Sequence, residues 1–316
     1  MLSRSTQNKP IIRHASILLA CFGAMSLLAL TTLHVTGYSR GITFSLCARS
    51  CPNALIKLPN DQDRKAEVAY TRQRQAADRV VQLMRAKPDD WERSSYHRPT
   101  KALWIDPFRD FYQCPAVLEK VGSMSDGGKW VCGVDSFLQR PSCVVYSFGS
   151  KGDTSFEESI IENTACSVWT FDPTLSKQDA AKVSAVSGLE YTAVGLSDKD
   201  GEMDINGIVR PVRSLATLMK ERGHTWIDVL KMDIEGAEWA VLNAFIEAKK
   251  PLPVTQAQIE FHVRKPGDAI ETMSGLLGLG MRVFHVEENN YCASCPGKLY
   301  EVALARVDLT GRMVRE

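Results

Sequence analysis

The stretch that most constrains the fold is residues 228–242, with the sequence DVLKMDIEGAEWAVL. Together with Ile227 it begins as a short, nearly continuous apolar run, which is typical of a strand covered on both faces. From Ala237 onward apolar residues recur at helical spacing, so a helix follows the strand. Asp233 and Glu235 fall between the two elements. The stretch therefore predicts a buried strand, a tight acidic turn and a helix.

The acidic turn lies where proteins of this architecture bind ligands. In an open α/β sheet, ligands bind beyond the carboxyl ends of the strands, and Asp233 and Glu235 fall at such an end. The alternative is that both acids only favour the positive end of the following helix. We therefore treat Asp233 and Glu235 as candidate catalytic residues.

A similar strand–loop–helix unit precedes this stretch. Residues 143–148 are rich in strand formers, Gly149 and Gly152 follow in a short loop, and Ser155-Phe-Glu-Glu158 predicts a capping box that opens a helix. Glycines let the backbone approach a ligand closely, and a helix N-terminus attracts an anionic group. The complete G-x-G-x-x-G pattern is missing, so ordinary packing of a strand and a helix is the alternative.

Asp172 adds a second signal for a nucleotide-like cofactor. It follows the predicted strand 167–171 and comes about 20 residues after the glycine loop, where an acidic side chain accepts hydrogen bonds from ribose hydroxyls. An Asp before Pro is otherwise commonly a turn residue. The spacing makes the two signals together stronger than either alone.

The remaining segments complete an α/β sheet. Residues 99–143 are aromatic-rich and predict loops, with a turn at 126–129. Further strands are predicted at 191–196, 258–262, 281–286 and 299–306, and helices at 212–222 and 270–279. The alternation predicts a doubly wound α/β domain with a mostly parallel sheet of about seven strands and helices on both faces.

His262 ends the predicted strand that neighbours the strand before Asp233. An imidazole takes up a proton near neutral pH, so His262 is a third candidate catalytic residue, as a general base. A hydrogen-bonding residue at the sheet edge is the alternative. We predict no metal site, because Asp233 and Glu235 are too few ligands to make one.

Several segments resemble known methyltransferases. Residues 228–238 resemble the signature of FkbM-type methyltransferases. Five shorter segments are similar, in order, to the methyltransferase-like protein 24 family: Cys114–Pro115, Val121–Ser123, Asp126–Cys132, Tyr146–Gly149 and Ser155–Glu157. The resemblance covers residues 98–306, about two thirds of the chain.

The resemblance implies a Rossmann-like class I methyltransferase fold with S-adenosyl-L-methionine as the cofactor. It implies methyl transfer to oxygen and leaves the acceptor open; hydroxyls of glycans, small molecules or protein side chains all fit. Together with the glycine loop and the strand ends, it predicts that the cofactor is bound by Ser147, Gly149, Gly152, Asp153, Asp172 and Asp198.

The N-terminus has the pattern of a membrane anchor. Residues 1–14 carry three basic residues and no acidic one, and residues 15–36 contain no Asp, Glu, Lys or Arg. That length spans a bilayer, and the basic flank places the tail in the cytosol. We predict a type II protein with a cytosolic tail (1–14), a signal anchor (15–36), a stem with a helical segment (37–94) and a methyltransferase-like domain (95–316) in the lumen of the Golgi or endoplasmic reticulum. A cleaved signal peptide, which would release a secreted protein, is the alternative.

Other features limit the partners. Residues 61–87 predict an amphipathic helix that packs on the domain or joins two chains into an oligomer. Eight of the nine cysteines lie beyond the anchor and can form disulfides. For Cys292 and Cys295 we expect a local disulfide or two loop thiols rather than a zinc site. The net charge of +1 argues against a nucleic-acid substrate.

Two other functions fit part of the pattern. A type II Golgi glycosyltransferase would share the anchor, stem and lumenal domain, and would use Asp233-Ile-Glu235 as a metal motif for a nucleotide sugar. The helix directly after that motif, and the acid at Asp172, argue against it. A catalytically inactive binding protein of the same fold is the third function. The incomplete glycine pattern allows it, whereas the acids at Asp172 and Asp233 argue against it.

Overall fold

The structure is a computed structural model. It describes residues 112–137, 140, 142–264, 266–289, 298–308 and 311–315, and a few isolated residues between 68 and 109. The chain divides into residues 1–56 and 57–316, and every described residue lies in the second unit. The predicted tail and anchor, most of the predicted stem, and Cys292 and Cys295 lie outside the described residues. Within the described part, no helix has both the length and the apolar character needed to cross a bilayer.

The described residues form twelve strands: β1 (Leu118–Val121), β2 (Lys129–Cys132), β3 (Val144–Phe148), β4 (Ser167–Phe171), β5 (Leu189–Thr192), β6 (Gly195–Leu196), β7 (Gly201–Ile205), β8 (Ile208–Arg213), β9 (Ile227–Met232), β10 (Val254–His262), β11 (Met281–Glu288) and β12 (Leu299–Arg306). They also form five α-helices: α1 (Ser155–Asn163), α2 (Lys177–Ser184), α3 (Leu215–Glu221), α4 (Glu238–Glu247) and α5 (Pro266–Gly278). A short 3-10 helix covers Val134–Phe137.

Seven strands make the central sheet, in the order β11-β12-β10-β9-β3-β4-β5. Strands β10, β9, β3, β4 and β5 pair in parallel, whereas β12 runs antiparallel to both β10 and β11. This order reverses direction between β9 and β3, so the carboxyl ends of those two strands flank the crevice where open α/β sheets bind ligands. The predicted Rossmann-like fold, with a mostly parallel sheet of about seven strands, is confirmed.

Helices cover the sheet on both faces, as predicted. In β9, Val229 packs in a buried cluster with Ile160 of α1, while the next residue, Leu230, packs in a second cluster with Leu242 of α4. Successive side chains of a strand point to opposite faces, so both faces must be covered to bury this run. Each such aliphatic side chain contributes about 2 kcal/mol on burial.

The loop prediction for residues 99–143 is wrong in part, because β1 and β2 form an antiparallel hairpin there. The predicted turn at 126–129 does lie in its connection. The hairpin is fastened to the sheet by the buried side chain of Gln256, whose Oε1 accepts from Cys132 N at 2.8 Å and whose Nε2 donates to Cys132 O at 2.7 Å. The hairpin was missed because its apolar alternation is interrupted by Lys129, a charged residue that the fold buries.

Two further boundaries need correction. The strand predicted at 191–196 ends at Thr192, and Gly195–Leu196 pairs instead with β8 in a separate three-stranded sheet. The helix predicted from residue 212 begins at Leu215, because residues 208–213 form β8. The signal for the β7–β8 hairpin was Asn206-Gly207, whose positive φ angles of 56° and 80° suit a tight turn.

Two disulfides lie within the described domain. Cys114 is bonded to Cys132, which ties the segment before β1 to the end of β2, and Cys143 is bonded to Cys166, which ties β3 to β4. Both bonds join neighbouring elements whose contact the sequence pattern alone did not reveal.

Candidate active site

The structure brings together the three residues predicted as catalytic. Asp233 follows β9, and His262 ends the parallel neighbour β10. The Nε2 atom of His262 lies 3.3 Å from Oε2 of Glu235. Ligand atoms of Asp233, Glu238 and His262 all lie within 4.8 Å of one another. The acidic turn and the end of β10 therefore form one polar cluster at the carboxyl edge of the sheet.

The acidic turn has an unusual backbone that aims its side chains in different directions. Glu235 and Gly236 both have positive φ angles, 57° and 103°. The side chain of Glu235 is 73% exposed, whereas that of Asp233 is largely covered, with 22% exposed. A Cβ atom on Gly236 would lie 3.3 Å from the guanidinium of Arg264, so the turn also packs against the chain that leaves β10.

Glu238 is a further member of this cluster, which the sequence alone did not place in the site. It is wholly buried at the start of α4, and its Oε1 accepts from Ile234 N at 2.9 Å, so it closes the turn from inside. The same oxygen lies 3.1 Å from Nδ1 of His262. The signal for this contact was the spacing of four residues between Ile234 and Glu238, which lets a side chain at a helix start reach back to the turn.

His262 carries its proton at neutral pH. Burial lowers its pKa, but the hydrogen bond and charge of Glu238, helped by Glu260 and Asp233, prevail and raise it to about 9. The backbone oxygen of His262 accepts from Nε1 of Trp239 at 2.8 Å, which fixes the end of β10. A protonated imidazole cannot accept a second proton, so the raised pKa of His262 favours Asp233 as the proton acceptor.

A buried lysine from the hairpin joins the cluster from the other side. Lys129 of β2 lies with its Nζ 2.5 Å from Oε1 of Glu301, and 3.8 Å from carboxylate oxygens of both Asp233 and Glu260. Burial lowers the pKa of Lys129, but the three carboxylates outweigh it and raise the pKa. The ammonium group therefore stays charged, and the hairpin contributes to the site as well as covering it.

Asp233 and Glu260 share a hydrogen bond between their carboxyl groups. Burial and the charge of Asp233 raise the pKa of Glu260 to about 8. Burial also raises the pKa of Asp233, but Lys129 and the hydrogen bond with Glu260 outweigh it and lower the pKa overall. At neutral pH Asp233 is therefore the ionised member of the pair and Glu260 the protonated one.

The predicted cofactor loop lies next to this cluster. Gly149 has a φ of 78°, and its N–H donates to Phe171 O at 3.0 Å. A Cβ atom on Gly149 would lie 1.7 Å from the carbonyl oxygen of Asp233. Glycine is therefore required here by the close approach of two strand ends, which is a packing reason in addition to any ligand.

Asp172 lies beneath the same loop and holds it in place. Its Oδ2 accepts from the backbone N–H groups of Ser150 at 3.0 Å and Lys151 at 2.9 Å, and from the Ser150 hydroxyl at 3.4 Å. Its Oδ1 accepts from Thr174 N at 2.8 Å and from Thr174 Oγ1 at 2.6 Å. The acid that the spacing singled out is buried and fully engaged with the protein's own donors. Its ribose role stays a prediction.

Ser147, Gly152 and Asp153 also have structural partners. Ser147 is buried below the loop, where its hydroxyl donates to Glu157 and accepts from Nζ of Lys231 at 3.3 Å. Gly152 has a φ of 86°. Asp153 precedes α1, and its Oδ1 accepts from the backbone N–H of Ser155 at 2.9 Å. The capping box predicted to start at Ser155 is wrong, because Ser155 is the first helical residue and the N-cap, Thr154, makes no side-chain capping hydrogen bond.

Asp198, the last of the predicted cofactor residues, is exposed in the loop between β6 and β7. Its Oδ1 accepts from Oγ of Ser197 at 2.9 Å. Its role at the adenine end of a cofactor stays a prediction.

The fold and site define a class of protein: this chain belongs to a methyltransferase-domain family, whose profile matches residues 63–300. Domains of this family depend on S-adenosylmethionine. The predicted enzyme class and cofactor are therefore confirmed at the level of the family.

Two curated relatives point to a narrower group within this class, and both are named probable methyltransferase-like protein 24. The Homo sapiens and Rattus norvegicus proteins are each 30% identical to this chain over 133 residues, or 41% of the chain. The matched part is 35% of the human protein and 36% of the rat protein, so the chain spans about a third of the length of these relatives. The predicted similarity to this family is confirmed. The FkbM-type signature stays a resemblance.

Solved structures are similar only in outline. The fibrillarin pre-rRNA processing protein of Methanococcus jannaschii is 12% identical, with a TM-score of 0.35 over 54% of this chain and 68% of that one. TrmK of M. capricolum, in complex with S-adenosyl-homocysteine, is 8% identical, with a TM-score of 0.33 over 55% of this chain and 66% of that one. Likeness this slight supports no argument about a substrate.

Proposed function

We propose that this chain transfers the methyl group of S-adenosylmethionine to an oxygen acceptor at the adjoining ends of β3, β4 and β9. One observation carries the proposal: the cofactor loop and the acidic turn touch, because Gly149 packs directly on the carbonyl oxygen of Asp233. A cofactor bound over the loop would thus have its reactive end beside Asp233, which is ionised and partly open to solvent.

Methyl transfer is an in-line displacement. The acceptor oxygen attacks the methyl carbon, the bond from that carbon to sulfur breaks, and S-adenosylhomocysteine leaves with the electron pair. The proton of the acceptor hydroxyl passes to a base, for which Asp233 is placed. The protein mainly holds the two reactants at a near-attack distance, and a positioned base adds to the rate for an oxygen acceptor. His262 and Glu235 line the same edge and would orient the acceptor.

The cellular part of the proposal rests on the disulfides. A type II protein anchored by residues 15–36 would hold its methyltransferase domain in the lumen of the Golgi or endoplasmic reticulum. The bonds Cys114–Cys132 and Cys143–Cys166 support an oxidising compartment, because thiols stay reduced in the cytosol. A sequon added at the C-terminus should become glycosylated in cells and stay membrane-bound. Glycosylated protein in the medium would indicate a cleaved signal peptide, and an unglycosylated sequon would refute the lumenal location.

The central experiment is calorimetry on the purified full chain in detergent. We expect S-adenosylmethionine and S-adenosylhomocysteine to bind with micromolar affinity, whereas UDP-sugars with Mn²⁺ should not. Asp172→Ala should weaken cofactor binding by about tenfold, since it removes a charged hydrogen-bonding partner and loosens the loop. Asp204→Ala, which removes an acid on the distant β7–β8 hairpin, is the matched control.

The possible results separate the three candidate functions. Binding of UDP-sugar alone would favour the glycosyltransferase. If neither ligand binds to a sample that shows a cooperative thermal transition, an inactive binding protein would be favoured. Unchanged affinity in Asp172→Ala would remove this residue from the cofactor site and leave the enzyme class intact.

A further inference from the structure

We infer that Asp233, Glu238 and His262 form a binding site for one divalent transition-metal cation. Their ligand atoms, two carboxylate oxygens and one imidazole nitrogen, all lie within 4.8 Å of one another. Oε1 of Glu238 and Nδ1 of His262 are 3.1 Å apart, which suits two ligands that bind the same ion. Asp233 and His262 are partly exposed, so a cation has a path from solvent.

The carboxylate of Glu238 gives an independent indication of a missing partner. The side chain is wholly buried, and among the described residues its Oε2 has no hydrogen-bond partner. Buried polar atoms are normally paired, and an unpaired carboxylate oxygen is costly. The other oxygen already accepts from Ile234 N and faces His262. A cation bound by both carboxylate oxygens of Glu238 would supply the missing interaction.

A second acidic group in the same region has its negative charge balanced by a lysine of the same chain. Asp126, Glu260 and Glu301 also bring three ligand atoms within 4.8 Å of one another. That group already has an internal cation, because Nζ of Lys129 lies 2.5 Å from Oε1 of Glu301 and 3.8 Å from Oε2 of Glu260. The first group has no lysine at that distance but an imidazole, which becomes a neutral metal ligand when a cation displaces its proton, so we assign the cation to the first group.

The balance of charge around the first group also favours a cation. Glu235 faces Nε2 of His262 at 3.3 Å, so three carboxylates surround one imidazole. Lys129 reaches only Asp233 among them, at 3.8 Å. Carboxylate oxygens with one imidazole suit Mn²⁺ or Zn²⁺, whereas Ca²⁺ needs six or more oxygens. The sequence alone predicted no metal, because it did not place Glu238 beside Asp233 and His262.

The role of the cation rests on the proposed function, whereas its existence does not. Asp233 lies where the acceptor oxygen would bind, so an acceptor hydroxyl could occupy an open position of the metal. A metal ion lowers the pKa of an oxygen bound to it and orients that oxygen. The acceptor would then be an alcohol or phenol that coordinates the ion through its oxygen.

The test is a titration of the full chain with Mn²⁺, followed by the electron paramagnetic resonance signal of the free ion. The protein is purified in detergent with its disulfides intact, treated with EDTA and desalted. We expect about one bound Mn²⁺ per chain, displaced by Zn²⁺. Asp233→Asn, at a partly exposed position, should weaken binding by at least about tenfold, and Glu238→Gln should do the same.

Glu119→Gln is the control, because it removes one carboxylate from an exposed position on β1. It should leave Mn²⁺ affinity nearly unchanged. No Mn²⁺ or Zn²⁺ binding by folded wild type would overturn the inference. Equal affinity in wild type and Asp233→Asn would overturn it too, even if Glu238→Gln failed to fold.

A titration with S-adenosylmethionine in EDTA on the same preparation separates the two ideas. Cofactor binding without metal binding would refute the metal site alone. Metal binding without cofactor binding would refute the proposed function and leave the site in place.

Discussion

Replacing Glu260 by glutamine tests the electrostatics of the site. Glu260 is buried in β10, where it accepts from Nδ2 of Asn289 at 2.8 Å and shares a hydrogen bond with Asp233. Burial and the charge of Asp233 raise the pKa of Glu260 to about 8, so it is a neutral acid at pH 7. Glutamine matches that neutral form in shape and keeps one acceptor and one donor.

The expected magnitude follows from the pKa of this one group. A glutamate in an unfolded chain has a pKa of about 4.3, so from about pH 5 to pH 8 the folded protein holds a proton that the unfolded chain has lost. Stability therefore falls as the pH rises, because the folded state binds more protons. From about pH 5 to about pH 7.5 the loss for Glu260 is on the order of 3 kcal/mol. Glu260→Gln abolishes this loss.

The assay is urea denaturation of wild type and Glu260→Gln, with EDTA present and the disulfides intact. Relative to wild type, the free energy of unfolding of the variant should rise by on the order of 3 kcal/mol across that pH range. Glu119→Gln makes the same change of charge at an exposed position on β1. Its free energy of unfolding should vary with pH as that of wild type does. Parallel profiles for Glu260→Gln and wild type would refute the reasoning, since Glu260 would then be ionised near neutral pH.

Two further predictions concern the scaffold of the site. Gly149→Ala would push a Cβ into Asp233 O at a φ of 78°, so it should destabilise the fold by several kcal/mol, on the order of 3 or more. Gly207→Ala, at a φ of 80° with nothing within 4 Å, should cost only about 1 to 2 kcal/mol in the same urea assay. Removing the Cys143–Cys166 bond by a double change to serine should cost about 2 to 4 kcal/mol; a midpoint of denaturation equal to that of wild type would contradict this.

The sheet could be predicted from the sequence because its parallel strands are buried on both faces and so are apolar throughout. The strand at 227–232 has the observed bounds for that reason. The β1–β2 hairpin could not be predicted from apolar alternation, because the charged residue Lys129 occupies a buried position and is among the most buried side chains. A buried charge is stabilised by ion pairs, and the partners of Lys129 are distant in the sequence: Asp233, Glu260 and Glu301. A local sequence pattern does not indicate such partners.

The candidate site could be predicted from the sequence in part. Asp233 and His262 were placed together because adjacent parallel strands end at one edge, and this required only their positions in the sequence. Glu238, at the start of a helix, was not among the predicted site residues. Its approach to His262 depends on the left-handed backbone of Glu235, which turns α4 back towards β10. Local conformation, rather than residue type, decides that contact.

Asp172 lies at the end of β4, as predicted, but its position alone does not decide whether it binds ribose. The structure adds that its carboxylate is engaged, yet the donors are of two kinds. The backbone N–H groups of Ser150, Lys151 and Thr174 are tied to the loop, whereas the hydroxyls of Ser150 and Thr174 can rotate away about single bonds. Ribose hydroxyls could replace these two side-chain donors while the backbone donors stay in place. Ribose binding by Asp172 therefore requires at least these two rotations, together with exposure of a side chain that is only 2% exposed.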